Sequence, residues 1–192
     1  MTKEIDFYFD FISPYTYLAH KKIQLLPKNI NVNYKPILLG GLHKLEGITA
    51  PAFIKAKLKN MINDCELNAK NNGFDFKWNA KFPLNSLNVM RGCFCINSKI
   101  KDQYINTMFN AYWRDNLDIT NEEILITLLK ECKIDSDNFL KAIKDQLIKD
   151  KLKDTTKDAH EKDVFGAPTF IVNNQIFWGQ DRLGYALDEY SK

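Results

Sequence analysis

Strand character is confined to the two ends of this chain, and residues 52–158 between them read as helix. That distribution leaves few ways to assemble a fold. "EIDFYFDFI" (residues 4–12) mixes alternation with aromatics and reads as a buried strand. "VNYKPILL" (32–39) reads as a second, and Pro36 inside it predicts an edge position or a strand end. Near the C-terminus "PTFIVNN" and "QIFWG" flank an Asn-Asn turn, a hairpin signal. A lone hairpin is marginal in water. The late hairpin must therefore join the two early strands in one sheet, with the helical block inserted between the halves.

The link between the early strands is itself informative. Ser13 is placed as an N-cap and Pro14 at the first helical position, followed by "YTYLAHKKIQLL" (15–26). Pro27 and the polar "KNIN" end that helix, which supplies the crossover a parallel strand pair requires. "GGLHKLEGITAP" (40–51) reads as loop. "AFIKAKLKNMINDCELNAKNNG" (52–73) has helical spacing and a glycine stop. The stretch 86–115 reads as a long helix broken near Gly92, and Thr120 lies three residues before Glu123, a capping-box spacing. Residues 135–163 form one or two helices with charged faces, and a last helix opens with Asp181 as its predicted N-cap.

With 192 residues and 45% apolar content, the chain fits one domain, or one domain carrying an insertion, around a real core. A net charge of only +3, with Lys and acidic residues interleaved, argues against a nucleic-acid binder. The four cysteines (Cys65, Cys93, Cys95, Cys132) contain no C-x-x-C pair, and the three histidines lie far apart. Neither a zinc site nor a dithiol redox motif is written here, and a reduced cytoplasmic setting is the simple reading. The N-terminus lacks signal-peptide character, and no apolar run approaches a membrane span. Cys93 and Cys95 read as structural. Tyr17, Phe109, Tyr112 and Trp113 could form an aromatic wall, although aromatics at helical spacing are more often core.

Three motifs, in this order and at these separations, carry a family resemblance: "FYFDFISPYTYL" (7–18), "VFGAPTFIV" (164–172) and "FWGQDRL" (177–183). Together with "PILLGGLHKLEG" (36–47) and "KFPLNSLNVMR" (81–91), they make the whole chain resemble the 2-hydroxychromene-2-carboxylate isomerases. That family is related to the kappa-class glutathione transferases and, more distantly, to DsbA-type thiol oxidoreductases. The resemblance implies an α/β, thioredoxin-like fold with an inserted all-α helical domain. The thioredoxin-like part would be residues 1–45 and 159–192, and the insertion 46–158. It also implies bound glutathione and a homodimer.

Site residues follow from the same resemblance. Thiol oxidoreductases of this fold place a cysteine at a helix N-terminus, where the dipole lowers its pKa; here Ser13 holds that position. Read locally, Ser-Pro is only a helix cap. Read with the other motifs, it is where a borrowed thiol, that of glutathione, would lie beside the Ser13 hydroxyl and the amides of Tyr15 and Thr16. Making a thiol tenfold to a hundredfold more acidic takes about 1.4–2.8 kcal/mol, within reach of a charge-assisted hydrogen bond plus the dipole. Pro168 is expected to be cis, exposing the Ala167 backbone to the peptide backbone of glutathione. Gly179, Gln180, Asp181 and Arg182 would hold its γ-glutamyl end, with Asp181 taking the ammonium.

Lys44 and Asn85 would line the pocket of a second substrate. The family often has Gly-Asn in the loop after the lysine, whereas here Gly47 is followed by Ile48, so the substrate acid need not be the family's usual one. The implied activity is glutathione-dependent isomerisation of a conjugated aromatic oxo-acid by reversible thiolate addition. A kappa-like transferase acting on electrophiles, or a glutathione-binding protein without catalysis, would use the same residues.

Overall fold

The aromatic run near the N-terminus becomes the inner part of a four-stranded sheet. In the computed structural model, which describes residues 3–192, the chain opens with β1 (Ile5–Phe9), α1 (Pro14–Ile23), β2 (Val32–Pro36) and α2 (Leu39–Leu45). A 3-10 turn (Pro51–Phe53) leads into α3 (Lys55–Asn72), α4 (Leu87–Gly92), α5 (Ser98–Trp113) and α6 (Glu122–Glu131). Then come α7 (Ser136–Ala142), α8 (Gln146–Glu161), β3 (Thr169–Val172), β4 (Gln175–Trp178) and α9 (Leu183–Tyr190). Among the described residues no helix is long and apolar enough to cross a membrane.

The sheet order is β2-β1-β3-β4, with β1 parallel to β2 and antiparallel to β3. The late hairpin therefore does join the early strands, and Pro36 ends an edge strand. Asn173 and Asn174 have φ of 48° and 61°, the left-handed pair that a two-residue hairpin turn requires. Phe7 sits in register with Tyr34 on one side and Phe170 on the other. Its ring stacks on Phe170 at 5.2 Å and meets the edge of Tyr34 at 5.0 Å.

The helical block packs onto this sheet through α5. Phe109 lies 5.9 Å from Phe9 and 4.9 Å from Phe11, so strand and helical block share one apolar core. Tyr17, Phe109, Tyr112 and Trp113 are all fully buried there; they are core and wall no cleft. The charged stretch 135–163 resolves into α7 and α8, capped by Asp135 and Asp145. α8 runs unbroken through residue 158 and packs against α2 and β2.

Three local readings change. α6 is capped by Asn121, which accepts the Ile124 N–H at 3.1 Å; Thr120 lies one residue before the cap, where its hydroxyl donates to Asp118. α9 starts beyond Arg182, and Asp181 pairs with Arg182 at 3.2 Å in place of capping. The supposed loop at 40–51 opens with helix α2, despite Gly40 and Gly41. Its caps come from elsewhere in the chain: Leu39 N–H donates to Asp10 at 2.8 Å and Leu38 N–H to Thr156 at 2.9 Å. Satisfying the orphan amides of a helix start offsets poor intrinsic propensity.

Candidate active site

Pro14 presets the first turn of α1, while Ser13 stays extended (φ −82°, ψ 117°), so its hydroxyl can accept the Thr16 N–H at 3.2 Å. The same hydroxyl donates to the Ala167 carbonyl at 2.9 Å. Residues 154 apart in sequence are thereby joined, and the Ala167–Pro168 bond is cis. The helix start and the proline loop thus form one small polar floor.

A cleft of about 650 Å³ opens above that floor. On one side Trp178 lies over the loop, 4.9 Å from Phe165. Only glycine permits this: a Cβ on Gly166 would sit 2.6 Å from the indole nitrogen. Opposite, α2 contributes Leu39 and His43, and the start of α3 contributes Lys57 and Met61. The volume lies within the range of small-molecule sites, and the mostly apolar lining around a few polar groups is their usual make-up.

The floor offers donors. Among the described residues the N–H groups of Tyr15 and Ala167 have no hydrogen-bond partner, and the first belongs to the positive end of α1. Burial pushes the Tyr15 phenol well above its usual range, so it stays protonated at neutral pH. Burial also holds the His43 imidazole below its ordinary value, so that ring is neutral. Lys57 makes no ion pair among the described residues. Beneath the floor, fully buried Asp10 accepts the Ile12 N–H at 3.1 Å as well as that of Leu39. Burial pushes its carboxyl up to about 6, against the pull of Ser86 and the two amides.

Of the residues singled out in the sequence, Ser13, Tyr15 and Ala167 meet in the cleft. Pro168 stands behind them, its carbonyl accepting the Gly179 N–H at 3.0 Å. Gly179, at φ +119°, turns the chain out of β4 just after Trp178. Gln180 is buried, and its side chain is committed to Lys22 and to Asn68. Asp181 and Arg182 are exposed and paired with each other.

Lys44 and Asn85 are exposed and do not line the cleft. On α2 the inward position is His43, and one residue further turns the side chain about 100° away. Asn85 instead accepts the Leu87 N–H at 3.1 Å, at the start of α4. His43, Lys57, Phe165 and Trp178 were not legible as site residues. Trp178, Phe165 and His43 each lie inside a stretch that carried the resemblance, which could have found them; Lys57 lies in none.

A profile of the DSBA-like thioredoxin domain matches residues 4–191. The chain is 29% identical to a 2-hydroxychromene-2-carboxylate isomerase of Sphingobium xenophagum, over 99% of this chain and 98% of that protein. It is 25% identical to glutathione S-transferase kappa 1 of Caenorhabditis elegans, over 96% of this chain and 89% of the relative. The solved structure of a 2-hydroxychromene-2-carboxylate isomerase superposes with a TM-score of 0.90 at 25% identity, covering 97% of this chain and 94% of the other. The sheet order, the cis-proline loop beside a helix start and the near full-length profile match lead to one conclusion: the chain belongs to the DSBA-like thioredoxin domain family.

Proposed function

We propose that this protein is a glutathione-dependent isomerase of a conjugated aromatic oxo-acid, acting like its 2-hydroxychromene-2-carboxylate isomerase relatives. One observation carries the reading. A serine hydroxyl stands at the start of α1, bonded to the carbonyl before a cis-proline, at the base of an apolar cleft. A thioredoxin-like site built this way has no thiol of its own there and suits a borrowed one.

The donor set fits glutathione. The free Ala167 N–H and the Ala167 carbonyl suit an extended peptide backbone, and the free Tyr15 N–H suits an anionic sulfur. When bound, glutathione supplies a thiolate that adds reversibly to a conjugated carbon and so makes a double bond rotatable. Ser13 rotates its hydroxyl from the Ala167 carbonyl to the sulfur, while that carbonyl accepts a peptide N–H in exchange. Asp181 and Arg182 take the charged γ-glutamyl end. Phe165 and Trp178 hold an aromatic ring and exclude water. Lys57, the cation lining the cleft, takes the substrate carboxylate in place of Lys44.

A homodimer in a reducing cytoplasm belongs to the same proposal, and four free cysteines suit that compartment. Light scattering tests the dimer. The activity is tested by following 2-hydroxychromene-2-carboxylate with and without glutathione; turnover without it sinks the mechanism. A second reading, conjugation of electrophiles as in kappa-class transferases, is favoured by Lys44 and Asn85 lying outside the cleft. It expects a chloronitrobenzene to be conjugated faster than the chromene acid is isomerised.

A further inference from the structure

A thiol that becomes a nucleophile must lose a proton, and the Ser13 hydroxyl cannot take it. Its oxygen already accepts from Thr16, and its one hydrogen is a donor. The other titratable groups lining the cleft are Tyr15, held as the neutral phenol, and Lys57, which is assigned above to the substrate carboxylate. Neither is a base there. His43 is.

The three histidines differ in one respect. His20 has a partner on each ring nitrogen, Tyr34 at 2.8 Å and Asn106 at 3.3 Å. His160 is bonded to Glu46 at 2.6 Å. The His43 ring has no hydrogen-bond partner among the described residues, and it lines the same cleft as Ser13. The helix carrying it is pinned at both ends. Asp10 and Thr156 hold its start, and the Glu46–His160 contact holds its end. Asp10 also grips the amide of Ile12, next to Ser13. One buried carboxylate therefore sets the Ser13 loop and the His43 helix relative to each other.

We propose that His43 is the proton carrier of the reaction, taking the proton of the glutathione sulfhydryl and lending it to the substrate oxygen. This rests on the glutathione reading of the cleft. His43 forms an N–H bond as the S–H bond breaks, and the electron pair of that bond stays on sulfur. When the pair is donated into the conjugated substrate, the carbonyl oxygen gains charge, and His43 passes the proton to it. After rotation about the freed bond both transfers run backwards. His43 is left neutral, and no proton or electron is consumed overall.

The test compares wild type with His43→Gln, and with His43→Asn should the first fold poorly. Calorimetry measures glutathione affinity, ultraviolet absorbance against pH measures bound thiolate, and nitrogen-15 shifts report the ring. Affinity is expected to fall only modestly, by the share that proton transfer to His43 contributes. Turnover is expected to fall about 100-fold or more, the usual weight of a general acid–base group. Added glutathione is expected to move the wild-type ring towards imidazolium, and the variant to show less bound thiolate at neutral pH. Wild-type turnover in the glutathione-loaded variant, or a ring that stays neutral with glutathione bound, overturns the proposal. Glutathione that fails to bind the wild type overturns the reading of the cleft itself, and the proposal with it, before any variant is made.

Discussion

At Ser13 one hydroxyl accepts from Thr16 and donates to Ala167, so replacing it separates its structural role from its chemical one. Ser13→Ala is expected to cost about 0.5–2 kcal/mol of stability as a lost cap, because Pro14 still presets the helix. Turnover is expected to fall about 10–100-fold, since a hydrogen bond to a charged group contributes about 1.5–3 kcal/mol. The bound thiol should become less acidic, and glutathione affinity should change little. Unchanged turnover with an unchanged thiol titration would reduce the hydroxyl to a helix cap. Ser13→Cys should form a mixed disulfide with oxidised glutathione and lose isomerase activity. Lys57 gives a second test at this scale. Lys57→Met should raise KM for an acid substrate while sparing a neutral electrophile, and Lys44→Met should do neither; the reverse pattern returns the carboxylate to Lys44. Ser13 was legible as a helix cap because Pro14 and Thr16 are its neighbours, and as a site residue only through the resemblance that the distant motifs carry. Lys57 was not, because which face of α3 meets the cleft depends on packing that no local pattern records.

Helix α2 is an element made by its surroundings. Seven residues containing two adjacent glycines are poor helix material, and the sequence reads them as loop. The acceptors that hold its start, Asp10 and Thr156, lie 29 and 118 residues from their partners, beyond the reach of any capping motif. By contrast, α1, the glycine stop of α3 at Gly73 and the Asn173–Asn174 turn were legible because their determinants are local. The dependence of α2 on Asp10 should show in stability against pH. Burial raises the Asp10 carboxyl from 3.8 to about 6, so the folded state binds this proton more tightly than the unfolded state. The resulting stabilisation is full below the unfolded value and is lost as pH rises through about 6, a loss on the order of 3 kcal/mol. Asp10→Asn lacks this term. The stability advantage of wild type over Asp10→Asn, from urea unfolding, should therefore shrink from acid to neutral pH. At neutral pH the variant still loses one acceptor for a buried amide, at about 1–3 kcal/mol. A difference that does not vary with pH would mean that Asp10 titrates alike in both states.

In the whole molecule, a sheet drawn from both ends of the chain must be locked to helices drawn from its middle. The order of the strands around the helical block was legible, and with it the single sheet, because strands need partners and only four runs of strand character were read in the sequence. How the middle is fastened was not. Apart from the shared aromatic core, one fastening lies at Gln180, which the family motif points to as a glutathione contact. That residue is 7% exposed. The carboxamide oxygen accepts from Lys22 of α1, and the nitrogen donates to Asn68 of α3 at 3.0 Å. Lys22 also reaches the Gln180 backbone carbonyl at 3.2 Å. One side chain thus ties the first helix, the helical block and the approach to α9. Burial lowers the Lys22 ammonium pKa, and Asp181 opposes that shift, so the cation depends on the acceptors around it. Gln180→Ala removes one of those acceptors and leaves Asn68 without its donor. The expected cost is about 1–3 kcal/mol, read as a lower urea midpoint with an unchanged slope. Glutathione affinity should hold once the variant is folded, because the cleft itself is lined by Ser13, Tyr15 and Ala167. Wild-type stability combined with lost glutathione binding would reverse the assignment and make Gln180 a ligand contact.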